Sequence, residues 1–246
     1  MKTGFVQNRN YESFMQAVHA VEKRGAREAG MLLVTGEPGI GKSKVIEKYV
    51  SESGALFVRA VSVGSKRGLM MSLAAKDTRM SQKGTSQEIQ KSIIGYIAAN
   101  NVSIVIDECQ HLLRNESAAM LEAVRDISDM AECMVILTAG EIGVEHKIAK
   151  YNQIASRINK HVQFKPLTME DSSFAIKQLS EVAFDDALMA AIHIQSGGKM
   201  RLIKNAIAGL EAFGKANARS IVTLADIGNK IICEEWQTPR LVRRAA

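Results

Sequence analysis

The segment Gly36-Glu37-Pro38-Gly39-Ile40-Gly41-Lys42-Ser43 fits the pattern GxxxxGK[ST]. Glycines let successive backbone N–H groups turn inward around phosphate oxygens. A helix opening at Lys42 adds the positive end of its dipole. The Lys42 ammonium can neutralise the β- and γ-phosphates, and the Ser43 hydroxyl can ligate Mg²⁺. The pattern carries this meaning where a strand precedes it and a helix follows. Both are expected here: Met31–Thr35 is an apolar run, and Val45, Ile46, Tyr49 and Val50 recur at helical spacing between Lys42 and Ser53.

Asp107 lies 65 residues after Lys42 and ends the run Ser103-Ile104-Val105-Ile106, with Glu108 next. A strand of that kind delivers both carboxylates to the C-terminal edge of a parallel sheet, where open α/β folds bind ligands. Asp107 would hold Mg²⁺ through water, and Glu108 would polarise the attacking water as general base. Two adjacent acids paired with a phosphate loop imply hydrolysis rather than nucleotide storage.

These residues need elements to hold them. Apolar periodicity predicts helices over Tyr11–Arg24, Lys42–Ser53, Thr85–Asn100 and Ala118–Ser128. Apolar runs predict strands over Met31–Thr35, Ala55–Ser62, Val102–Ile106, Cys133–Thr138 and His161–Phe164. Strands alternating with helices, and apolar nearly throughout, predict an α/β fold: a five-stranded, mostly parallel sheet flanked by helices. After Pro166 only helical stretches are expected, over 169–180, 185–196, 199–213 and 223–235. The expected organisation is an α/β nucleotide-binding domain over 1–167, a small all-helical lid domain over 168–236, and a basic tail over 237–246 carrying Arg240, Arg243 and Arg244.

With 246 residues, 46% of them apolar and 24% charged, the chain can bury a core without staples and is not a disordered polymer. It has no apolar run of membrane-spanning length, and Met1–Asn10 lacks the apolar stretch of a leader. Cys109, Cys133 and Cys233 have no CxxC spacing, which fits a reduced, cytoplasmic protein. The five histidines form no metal pattern. The net charge of +6 is concentrated: from Arg59 to Lys91 seven basic residues face two acids. Such a segment permits nucleic-acid binding, and a plain solvated basic face is the other reading.

The order GEPGIGKS, IVIDE, LTAGE, SRI and GGKMR resembles that of AAA+ ATPases over nearly the whole chain. Within them, the small size and the FVQNRNY segment look like the transposition regulators of the MuB, TnsC and TniB kind. The resemblance implies ATP and Mg²⁺ as ligands. It places Thr138 at the sensor 1 position, with Thr where Asn or Ser is common. It implies that Arg157 reaches a neighbouring subunit's nucleotide, with Lys160 and Arg125 as rivals. It puts Arg201 at the sensor 2 position, with Lys199 as its alternative, and Val6 and Gln7 against adenine. It also implies that the interval between the second and third strands grips duplex DNA, through Lys66, Arg67, Arg79 and Lys83. Gly64, Gly68 and Gly84 suit loops whose backbones approach phosphates. No aromatic lies between Arg59 and Lys91, so contact with the backbone rather than base stacking is expected.

The function this implies is an ATP-dependent regulator that oligomerises on duplex DNA, as a filament or ring, and delivers target DNA to a transposase. The host would be a bacterium, or the gene that of a phage or mobile element. A helicase loader of the DnaC/IstB kind is an alternative, although only 30 residues precede the first expected strand and such loaders usually carry an added N-terminal domain. A signalling AAA+ switch without nucleic acid is another. A small-molecule kinase fits the paired acids and the helical domain less well.

Overall fold

The computed structural model describes residues 1–113, 117–228 and 230–233. Met31–Thr35 carries no charge and is buried along its whole length, as a central parallel strand must be. It is β1. The helix before it, α1 (Arg9–Glu22), buries Phe14, Ala17, Val18 and Val21 along one face. Phe14 meets Tyr49 edge-on, with ring centroids 5.5 Å apart. After the glycine-rich loop come α2 (Lys42–Ser53), β2 (Leu56–Arg59), α3 (Lys66–Ala74), α4 (Ser86–Asn100) and β3 (Ile104–Asp107). A 3-10 turn, Cys109–Leu112, leads towards α5 (Ala119–Ala131), β4 (Val135–Thr138), α6 (Val144–Ala149), α7 (Asn152–Ala155) and β5 (Ile158–Gln163).

The strands form one parallel sheet in the order β2-β3-β4-β1-β5. Its central strands β3, β4 and β1 are buried on both faces, whereas the edge strand β5 is half exposed. The fold is therefore α/β, a five-stranded parallel sheet flanked by helices. One core runs from Met31 and Leu33 through Ile89, Ile93 and Ile97 to Val135 and Leu137.

The chain divides into two compact units. The sheet unit holds Tyr11–Pro38 and Lys42–Phe164. The helical unit holds the described residues from Lys165 onwards, together with Met1–Asn10 and Gly39–Gly41. Its elements are α8 (Met169–Leu179), β6 (Ala183–Phe184), α9 (Asp186–Ser196), α10 (Met200–Ala216), β7 (Ile221–Val222) and α11 (Leu224–Ile227). Its core joins Val6 to Leu167, Ile176, Leu188, Ile192, Ile203 and Ile207.

Several expectations need correction. The region after Pro166 is not helix alone, because β6 and β7 pair in parallel. The helix expected over 223–235 is only α11 among the described residues, ending at Gly228 with φ 59°. The basic tail 237–246 lies outside the described residues. Gly68 is not in a loop. It sits in α3, whose first turn is capped by the Ser65 hydroxyl accepting from the Gly68 N–H at 3.0 Å, and whose Leu69, Met70 and Leu73 are buried. β5 starts three residues earlier than expected.

Candidate functional site

The loop between β1 and α2 needs positive φ at Gly39 (88°) and Gly41 (106°), which side chains disfavour. Glu37 and Pro38 are exposed, and Ile40 is buried. Lys42 opens α2. Its ammonium donates to the carbonyls of Gly36 (2.6 Å) and Glu37 (2.9 Å), groups of its own loop. Burial pulls its pKa below the ordinary 10.5, against the opposing pull of Glu108, Asp107 and Glu37. Ser43 lines a cavity of about 170 Å³ together with Ile46, Glu47, Phe57, Arg59 and Asp107. A hydroxyl and a carboxylate on one cavity suit a hard cation that keeps water and phosphate in its shell. Among the described residues no cluster of three or more His, Cys, Asp or Glu forms a separate metal cage. Ser43 and Asp107 thus fit Mg²⁺.

Strand register builds the carboxylate end of the site. Ile106 pairs with Leu137, so Asp107 arrives level with Thr138. The Thr138 hydroxyl donates to Asp107 Oδ1, and both residues are buried. Arg59 pairs with Asp107 across β2 and β3. Its Nε donates to Asp107 Oδ2 at 3.2 Å, its Nη2 lies 3.1 Å from the same oxygen, and Nη2 lies 3.8 Å from Glu108 Oε1. Glu108 itself turns the chain with φ 56° and ψ 44°. Its Oε2 accepts from Gln110 Nε2 at 2.5 Å.

Arg59 and Gln110 are the site residues that sequence reasoning missed. Arg59 counted only as part of a basic run. The signal that could have found it is its place at the end of the strand beside β3. Gln110 has a local signal: it stands two residues after Glu108, the carboxylate that directly follows β3.

Arg157 lies at the other end of the sheet. Its carbonyl accepts from the Met31 N–H at 2.9 Å, where β1 begins. β1 has five residues, so at about 3.3 Å per residue roughly 16 Å separates Arg157 from the loop that follows β1. Its Nε lies 3.1 Å from both Asp129 carboxylate oxygens. Arg125, on α5, pairs with Asp126 and approaches Asp129 at 4.0 Å. Lys160 is exposed on β5.

In the helical unit, Arg201 is the second residue of α10, and its N–H donates to Gly39 O at 2.9 Å. A Cβ built on Gly39 would sit 3.3 Å from the Arg201 guanidinium. Lys199 occupies the cap position of α10. Val6 is buried in the helical core and Gln7 is exposed.

Of the basic interval, Lys66 and Arg67 form the first turn of α3. Arg67 Nη1 donates to Gly84 O at 2.8 Å, which brings that turn to the loop carrying Lys83. Arg79 is differently engaged. It grips Asp77 (2.8 and 2.9 Å), donates to Tyr96 (3.0 Å) and Asn100 (3.2 Å), and lies 4.8 Å from the centre of the Tyr96 ring. Those bonds hold the Asp77 carboxyl well below the usual range.

Among solved structures, the chain is similar to the Aeropyrum pernix ORC2 protein in its ADPNP–ADP complexes. The TM-score is 0.67 at 15% identity, over 86% of this chain and 64% of that one. The A. pernix ORC1 protein in complex with DNA gives 0.60 at 14% identity, over 87% and 61%. Domain III of the Thermotoga maritima replication initiation protein DnaA gives 0.57 at 15% identity, over 90% and 91%. At such identities the likeness is one of fold, and the chain spans under two thirds of the ORC proteins' length. No curated protein matches the sequence. The AAA domain family matches residues 24–148, just over half of the chain, and includes both the phosphate loop and the paired carboxylates; this protein belongs to the AAA domain family.

Proposed function

We propose that this protein is an ATP-dependent, DNA-binding ATPase that assembles on duplex DNA and presents that DNA to a transposase. The observation that carries the ATPase part is the joining of Asp107, Glu108 and Thr138 at one sheet edge, with Asp107 and Ser43 on one cavity. The backbone N–H groups of the loop and Lys42 would cradle the phosphates, with Lys42 leaving the carbonyls of Gly36 and Glu37 to do so. Bound Mg²⁺ would neutralise charge on the β- and γ-phosphates. Glu108 would take the proton of a water as its oxygen bonds to the γ-phosphorus and the bond to the ADP oxygen breaks. Thr138 holds Asp107 in place. The resemblance that assigns ATP also assigns Arg201, Val6 and Gln7 to nucleotide binding.

Arg157 would act on a neighbour's nucleotide. Its place at the far end of the sheet supports this reading, because it is too distant for its own loop. Lys66, Arg67 and Lys83 would contact duplex phosphates, which predicts weak sequence preference and steep salt dependence. The buried or half-buried, unpaired cysteines fit the cytoplasm.

The test is binding to duplex and single-stranded DNA with ATP, ADP or no nucleotide, read with negative-stain imaging. ATP-dependent assemblies on duplex are expected, and Lys66→Glu with Arg67→Glu should abolish them. Absence of DNA binding in every state refutes the DNA role. A preference for single strands favours a helicase loader.

A further inference from the structure

Glu108 is held by one amide. Its backbone lies in the left-handed region, at φ 56°, a conformation side chains adopt only when their surroundings impose it. The carbonyl of Glu108 accepts from the His111 N–H at 3.0 Å, so the turn closes on itself and pins the base at the end of β3. Gln110 stands on that turn between the buried Cys109 and Leu112. Its Nε2 reaches back to Glu108 Oε2. Its other end, Oε1, is buried and has no hydrogen-bond partner among the described residues.

An amide retained for stability pairs both of its ends, because a buried carbonyl without a partner costs stability. This amide meets one group only, and that group is the carboxylate read as the general base. Such local violations of polar pairing concentrate where function requires them. The donor is a neutral amide N–H, which orients the carboxylate through a single hydrogen bond. Arg59, the cation nearest this carboxylate among the described residues, stands 3.8 Å from its Oε1 and closer to Asp107. Gly140 lies beside the same oxygen: a Cβ built there would sit 3.5 Å from Glu108 Oε2, at ordinary van der Waals distance.

We infer that Gln110 is a positioning residue for hydrolysis, fixing the Glu108 carboxylate that activates water, and that it is kept at a cost in stability. The inference rests on the reading of Glu108 as general base.

The test compares the full chain with Gln110→Leu, Gln110→His and the control Glu108→Gln. Leucine fills the space, removes the donor and removes the orphaned carbonyl. Gln110→Leu should leave KM for ATP and the affinity for a fluorescent ATP analogue within about twofold, while kcat falls roughly ten- to hundredfold, the size of a positioning effect. Its Tm should hold or rise, since a buried unpaired group is gone. Gln110→His, which keeps a ring N–H, should recover part of kcat. A kcat within about twofold of native in Gln110→Leu, with Glu108→Gln inactive, overturns the inference and leaves the base assignment intact. A Tm that falls in step with kcat makes Gln110 structural and overturns it too. Absence of turnover in the native protein overturns the ATPase reading, and this inference with it.

Discussion

Asp107 is asked to serve two cations. Its Oδ2 carries the Arg59 guanidinium, while the proposed Mg²⁺ must approach the same carboxylate from the cavity shared with Ser43. Arg59 is more than half exposed, so the pair contributes no more than about 1 kcal/mol. Removing it should therefore ease metal entry modestly. Arg59→Ala is expected to lower the Mg²⁺ concentration for half-maximal nucleotide binding about two- to fivefold, read by titrating Mg²⁺ against a fluorescent nucleotide. A higher Mg²⁺ requirement would show that Arg59 holds the phosphates instead. The difference in legibility between these residues has a physical cause. Lys42, Ser43, Asp107 and Glu108 stand in short segments whose spacing is itself the signal. Arg59 reaches the site only through the pairing of β2 with β3, and strand register is not written in any local stretch.

At the scale of elements, α4 begins with a capping box. The Thr85 hydroxyl accepts from the Glu88 N–H at 3.3 Å, and the Glu88 carboxylate accepts from the Thr85 N–H at 2.6 Å. Thr85→Ala should cost about 1 kcal/mol in urea unfolding. Hydrogen bonds from the Thr85 backbone and hydroxyl hold the Glu88 carboxyl below its ordinary 4.5. The folded state then binds fewer protons than the unfolded state near that pH. Its contribution is complete above about 4.5 and fades as pH falls further. The stability gap between native protein and Glu88→Gln should accordingly narrow from pH 6 to pH 3; a constant gap would refute the linkage. The strands buried on both faces, β1, β3 and β4, were legible because uniform burial demands uniformly apolar sequence. β5 was misplaced at its start because an exposed edge strand, Ile158-Asn159-Lys160-His161, carries little apolar signal. α3 was missed because Lys66, Arg67 and Gly68 read as a basic loop, while Ser65 in fact caps a turn there.

At the scale of the molecule, each unit owns a core. Among the described residues, no helix is long and apolar enough to cross a membrane. In the sheet unit, Phe14 is fully buried against Tyr49, and Phe14→Ala should cost about 3–5 kcal/mol in stability. Assembly gives a test of Arg157. Arg157→Ala should bind nucleotide normally yet hydrolyse it poorly on DNA. Lys42→Ala should be inactive for want of a phosphate cradle. Mixed, the two variants should regain part of the native rate, because one supplies the site and the other the guanidinium. Mixtures no faster than their components would place the finger elsewhere.

The role proposed for Arg157, at the N-terminal end of the sheet and opposite the phosphate loop, would make assembly directional. A subunit that gives at one end and receives at the other joins its neighbours head to tail, and such a contact either closes into a ring or repeats without limit. An open assembly then has two unlike termini: one exposes a nucleotide that no arginine answers, the other an arginine with nothing to answer. The unanswered nucleotide would turn over slowest, so an open array would shed its subunits with a direction, like a sentence that can be erased from one margin only.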